Sequence, residues 1–97
     1  MSFNYNNVSL VGRVESEPEI EDVSDTFKTS LTLAIQRPFK NKLGEYEMDY
    51  IPVVFWGRLA TAAHKHLNQS DAVLLDGRIE MLGKSLVIVA DNFQKVG

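Results

Sequence analysis

Residues Tyr50-Ile-Pro-Val-Val-Phe-Trp-Gly-Arg58 restrict the fold of this chain more than any other stretch. An extended backbone sends alternate side chains to opposite faces. Here one parity is uniformly apolar (Ile51, Val53, Phe55), while the other carries Tyr50, Val54, Trp56 and Arg58. The first set suits a core. The second sets two large aromatics six residues apart on the opposite face, with a cation one step further on. An aromatic platform ending in a cation is the arrangement that stacking on unpaired bases and pairing with phosphates requires. A second cluster of this kind, Arg37-Pro38-Phe39-Lys40, lies just upstream. Pro38 lacks a backbone donor and marks the edge or end of a strand, so a loop is expected to expose Phe39 between its cations.

The same alternation recurs along the chain. Val8 to Val14 forms a first strand that ends in an acidic stretch containing Pro18, where the chain turns. Phe27, Leu31, Leu33 and Ile35 define a second strand running to Pro38, a loop follows at Asn41 to Gly44, and the third strand covers about Met48 to Trp56, with Pro52 suggesting an edge or a bulge. The period then changes. Leu59, Ala62, Ala63, His66 and Leu67 fall at helical spacing between Gly57 and Leu67. A fourth strand follows at Val73 to Met81, and Leu82-Gly83-Lys84 connects it tightly to a fifth at Ser85 to Phe93. Three strands, one helix and two strands is the order of the OB-fold, an all-β five-stranded Greek-key barrel with a helix between strands 3 and 4. The whole chain, residues 1–97, is expected to be a single OB-fold domain, with no room for a separate catalytic module.

Hydrophobic residues make up 44% of the chain, yet no apolar run approaches the roughly 18 residues of a membrane span. The chain reads as cytoplasmic, with no membrane partner. The absence of cysteine excludes disulfides and thiolate zinc sites. His64 and His66 are two apart on a helix and point to different faces, short of the three or four convergent ligands that zinc needs. Glu45 and Glu47 have neither a nucleophile nor a phosphate-cradling glycine loop beside them. No enzymatic activity, cofactor or metal is expected.

A net charge of -3 argues against a nucleic-acid ligand only until it is mapped. Glu15, Glu17, Glu19, Glu21, Asp22 and Asp25 account for 6 of the 13 acids in a segment without Lys or Arg, which leaves 7 acids against 10 cations elsewhere. A local basic surface matters more than the total. The acidic segment is expected to be a solvated turn lying away from the path of a bound strand, and Lys28, Lys65, Lys84 and Lys95 are expected to be ordinary surface residues.

The residues also resemble the bacterial single-stranded-DNA-binding protein (SSB) family. The similarity is carried by Asn7-Val-Ser-Leu-Val-Gly-Arg13, Glu17-Pro-Glu19, Leu31-Thr-Leu-Ala-Ile35, Arg37-Pro-Phe-Lys-Asn41, Gly44-Glu45, Asp49-Tyr50, Val53 to Arg58 and Asp76-Gly-Arg78, in the family's order. It implies that Phe39, Tyr50 and Trp56 stack on bases, and that Arg13, Arg37, Lys40 and Arg58, with Lys42 and Arg78 in a lesser place, lie along the strand. It further implies sequence-tolerant binding of single-stranded DNA in replication, repair or recombination, association with the nucleoid and with replication or repair proteins, and self-association as a homotetramer or homodimer through the first strand. Two departures stand out. Leu82-Gly83-Lys84 replaces the family's usual long hairpin with its further aromatic, and the sequence runs to Gly97 without the usual acidic-tipped tail, as in a short form or a core segment. An alternative is an OB module of the primosomal replication type whose main task is to bridge replication proteins.

Overall fold

The structure, a computed structural model, describes residues 3–96. Its elements are β1 (Val8–Val14), β2 (Glu19–Val23), β3 (Thr26–Lys40), β4 (Tyr46–Trp56), α1 (Arg58–His66), β5 (Ala72–Leu82) and β6 (Ser85–Lys95). The strands are hydrogen-bonded in the order β1-β5-β6-β4-β3-β2, and β1 also pairs with β3 at Arg13↔Ala34 and Val14↔Leu33. That extra pairing closes β1, β5, β6, β4 and β3 into a ring. Every neighbour in it is antiparallel except β4 and β6, which meet in parallel at Val53↔Ile88 and Val54↔Val89. The expected five-stranded OB barrel is therefore present, with β2 added outside it on β3.

Side-chain alternation fills the barrel. Val53 and Phe55 on β4 are buried, as are Leu31 and Leu33 on β3 and Val73 and Leu75 on β5. Helix α1 closes one end of this core through Ala60 and Ala63 on one helical face, joined by Leu67 just past its end. Gly57 makes the corner between β4 and α1 at φ 64° and ψ -132°, a conformation that strongly favours glycine. Thr29 ties the helix to β3 by donating its hydroxyl to the carbonyl of Ala60 at 2.6 Å. Among the described residues no helix is long and apolar enough to cross a membrane.

Two local expectations are corrected. The acidic segment is not simply a solvated turn: Glu19–Val23 is a strand, paired with Thr26 to Ser30. Its hairpin turns through Ser24 and Asp25, both at positive φ (47° and 70°), the sign pattern of a type I′ turn that matches hairpin twist. Ile20 and Val23 are half-buried, whereas Glu19, Glu21 and Asp22 face solvent. Strand β3, for its part, does not end at Pro38. It continues to Lys40 through a register shift between Gln36 and Lys40, so that Arg37, Pro38 and Phe39 stand against Glu47 alone. A bulge tolerates a residue with no N–H to give the ladder.

The β5–β6 hairpin is as short as the sequence indicates, with Leu82 opposite Ser85. Gly83, at φ 64°, takes the first central position of the turn, where a positive φ is needed.

Candidate nucleic-acid interface

Residues directly opposite one another on antiparallel strands share a face, so the register maps the outer surface of the barrel row by row. Tyr50 stands opposite Ala34, which stands opposite Arg13 on β1. The small, buried Ala34 thus separates an arginine from a tyrosine that is 57% exposed. Trp56, six residues further along β4 and 41% exposed, stands opposite Lys28. At about 3.3 Å per residue the two aromatics are roughly 20 Å apart. Between them, Val54 joins Val87 and Val89 of β6 in a small apolar cluster outside the core. This cluster floors a cleft of ≈ 270 Å³ bordered by Lys28, Trp56, Glu80 and Leu82.

The expected residues occupy the following positions. Tyr50 and Trp56 lie on one outer face while Val53 and Phe55 are fully buried, as alternation requires. Arg13 shares the Tyr50 row, and its guanidinium donates to the Ser70 carbonyl at 3.0 Å. Lys40 closes β3, with Nζ 5.6 Å from the centroid of the Tyr46 ring. Phe39 is 82% exposed, on the bulged strand instead of in a loop. Arg58 is the first residue of α1, exposed and beyond the corner at Gly57, so strand alternation no longer sets its direction.

Arg37 is held elsewhere. Its guanidinium donates from Nε and Nη2 to Asp49 (2.9 Å at the shortest) and from Nη1 to Glu47 at 2.6 Å. Asp49 has the parity of Ile51, Val53 and Phe55, so this cluster draws Arg37 away from the Tyr50 and Trp56 face. The hydrogen bonds from Arg37 hold the Asp49 carboxyl below the usual carboxylate range, against a smaller opposing effect of desolvation.

Two features were missed in the sequence. Lys28 is no ordinary surface residue: its Nζ lies 5.6 Å from the centroid of the Trp56 ring and 3.9 Å from a Glu21 oxygen. Glu21 in turn stands opposite Lys28, so the acidic segment reaches the aromatic face instead of lying away from it. The only available signal was the pairing register, which no single stretch displays. Tyr46, opposite Lys40, adds a third aromatic to β4 at the parity of Tyr50 and Trp56, and simple alternation from Tyr50 would have found it.

The comparisons with known proteins bear on the family and the fold. The model of the single-strand binding protein family matches residues 5–94. Single-stranded DNA-binding protein 1 of Streptococcus pyogenes is 37% identical over 76 residues, covering 77% of this chain and 58% of that protein. Single-stranded DNA-binding protein 1 of Clostridium acetobutylicum is 31% identical over 78 residues, covering 78% of this chain and 71% of that protein. The chain thus spans somewhat more than half the length of the Streptococcus pyogenes relative. Among solved structures, a deletion mutant of the single-stranded DNA binding protein from Thermus aquaticus superposes with a TM-score of 0.76 at 21% identity, covering 96% of this chain and 51% of that one. Barrel, aromatic outer face and a family match over nearly the whole length lead to one conclusion: the chain belongs to the single-strand binding protein family.

Proposed function

We propose that this chain binds single-stranded DNA with little regard to sequence, by stacking bases on Trp56, Tyr50 and Phe39 and neutralising phosphates with Arg13, Lys40, Arg58 and Arg37, the last after release from its carboxylates. No catalytic step is involved. The observation that carries this reading is the exposure of Tyr50 and Trp56 on the outer face of β4 while the alternate side chains of the same strand fill the core. Large aromatics left partly in water beside cations mark a binding surface more often than a packing accident. The role follows from the chemistry: a protein that covers bases and backbone protects and straightens the strand during replication, repair or recombination.

Self-association as a homotetramer, or as a homodimer, belongs to the same proposal. Val11, on the outer parity of β1, is exposed among Arg13, Ala34 and Met48 and offers apolar surface to a second copy. A second reading, a module that bridges replication proteins, is favoured by the exposed Met81, Leu82 and Leu86 at the end of the β5–β6 hairpin.

Titration with oligo(dT) at several salt concentrations tests the proposal, with emission of the single Trp as one readout. Three or four phosphate contacts per subunit give a slope of log K against log salt of about -2 to -3, at roughly -0.7 per contact on a single strand. Stacking supplies a part that salt does not remove. Duplex DNA competing as well as single strands would refute the proposal and favour the bridging module.

A further inference from the structure

A line of three side chains crosses the outer surface beside the aromatic face. Glu21 on β2 stands opposite Lys28 on β3, and Lys28 stands opposite Trp56 on β4. Lys28 is the more covered member of its ion pair, with 24% of its side chain exposed against 62% for Glu21. Its stem borders the cleft floored by Val54, Val87 and Val89. Glu80 borders the same cleft but is engaged by Arg78, whose Nη2 lies 2.8 Å from Glu80 Oε2. Glu21 is therefore the ion-pair partner of Lys28 among the described residues.

The pair is loosely made. At 3.9 Å it is well beyond the roughly 2.7–2.9 Å of a charge-assisted hydrogen bond, and an ammonium has three donors to place. A pair this long, with its carboxylate mostly in water, contributes little, so little is lost when it opens. Glu21, mostly in water, is readily resolvated. Lys28 is already confined by the indole and the cleft, and a side chain with less freedom to lose binds at lower entropic cost.

We propose that Lys28 contacts a backbone phosphate of the bound strand, and that Glu21 is an internal anion which this phosphate displaces when a base stacks on Trp56. The inference rests on the reading of the aromatic face as a single-stranded DNA site. It makes β2 part of that site: the acidic strand supplies a competitor that lowers affinity and is overcome only by an anion arriving together with a base.

The test is anisotropy of labelled oligo(dT) over a range of salt, with the full chain and the variants Lys28→Ala, Lys28→Arg, Glu21→Gln and the double variant Lys28→Ala/Glu21→Gln. Lys28→Ala should make the salt slope shallower by about 0.7, the value of one phosphate contact on a single strand, and Lys28→Arg should restore it. Glu21→Gln should tighten binding about twofold to fivefold, the range of an exposed ion pair, and should have almost no effect once Lys28 is Ala. An unchanged slope in Lys28→Ala overturns the inference. So does equal tightening by Glu21→Gln with and without Lys28, because Glu21 would then act by plain repulsion. If the unsubstituted chain does not bind oligo(dT), the DNA-binding reading falls and this inference with it. If it binds, and Trp56→Leu weakens it while Lys28→Ala leaves the slope intact, only the role of Lys28 and Glu21 falls.

Discussion

Replacing Trp56 separates its packing in the fold from the base stacking proposed for it. About three-fifths of it is covered, since 41% remains exposed, and it shares the lining of the cleft with Lys28, Val54, Val87 and Val89. Truncating a fully buried Trp to Ala costs about 3–5 kcal/mol. Scaled to the covered part, and with no closed cavity because the cleft opens to solvent, Trp56→Ala should cost about 2 kcal/mol. For a chain of this length that lowers Tm by roughly 8–16 °C. Trp56→Leu keeps much of the apolar cover and should lose about half as much. Neither variant offers an indole face, so both should lose a base stack worth about 1–3 kcal/mol, or roughly fivefold to 150-fold in affinity. The Leu variant is the informative one: stability should fall by about 1 kcal/mol, while binding should fall by the full stacking amount. Urea unfolding followed by circular dichroism gives the first quantity, and anisotropy of labelled oligo(dT) gives the second. A Leu variant that binds as tightly as the unsubstituted chain, whatever its stability, refutes the stacking role of Trp56.

Gly77→Ala should destabilise the barrel by about 3 kcal/mol in urea unfolding, because an added Cβ would lie 2.2 Å from the Val89 carbonyl oxygen and the β5–β6 ladder would have to part; an unchanged midpoint would contradict that close approach. Arg37→Ala should return the Asp49 carboxyl towards its ordinary value near 3.9 in an NMR titration. Because the folded value lies below the unfolded one, the stabilisation from this pair is fully present above about pH 4 and is lost as pH falls through the depressed folded value. The variant should therefore show a flatter acid limb of stability, and an Asp49 titration unmoved by the substitution would remove the basis of this prediction. Light scattering at micromolar concentration should report four copies of the 10.9 kDa chain, or otherwise two; a monomer would rule out self-association.

Much of the barrel was legible because its signals are local. Alternation in Tyr50 to Trp56 assigns Val53 and Phe55 to the core and Tyr50 and Trp56 to the outer face, whatever strands lie alongside. The change of period after Gly57 marks the helix, and Gly83 marks the tight hairpin. Strand β2 escaped notice because its I′ turn is made by Ser24-Asp25 without the glycine that usually announces such a turn, and because a run of acids has low β-propensity. The expected end of β3 at Pro38 failed for a related reason: a proline breaks a ladder only where its missing N–H is needed, and the bulge opposite Glu47 does not need it.

What the sequence by itself determined is thus the order of the elements other than β2, and the side on which residues stand within the strands it marked, since both follow from the geometry of one extended or helical segment. The tertiary structure alone decided which side chains meet. Lys28 and Trp56 are 28 residues apart in the chain, and β1 and β5 are further apart still; their registers are set by closure of the barrel and by the fit of its core. That register brought Lys28 and Glu21 to the aromatic face, and it turned Arg37 towards Glu47 and Asp49 on the other. Pairing between distant strands is a cooperative property of the closed sheet, and a shift of one residue would have exchanged these faces.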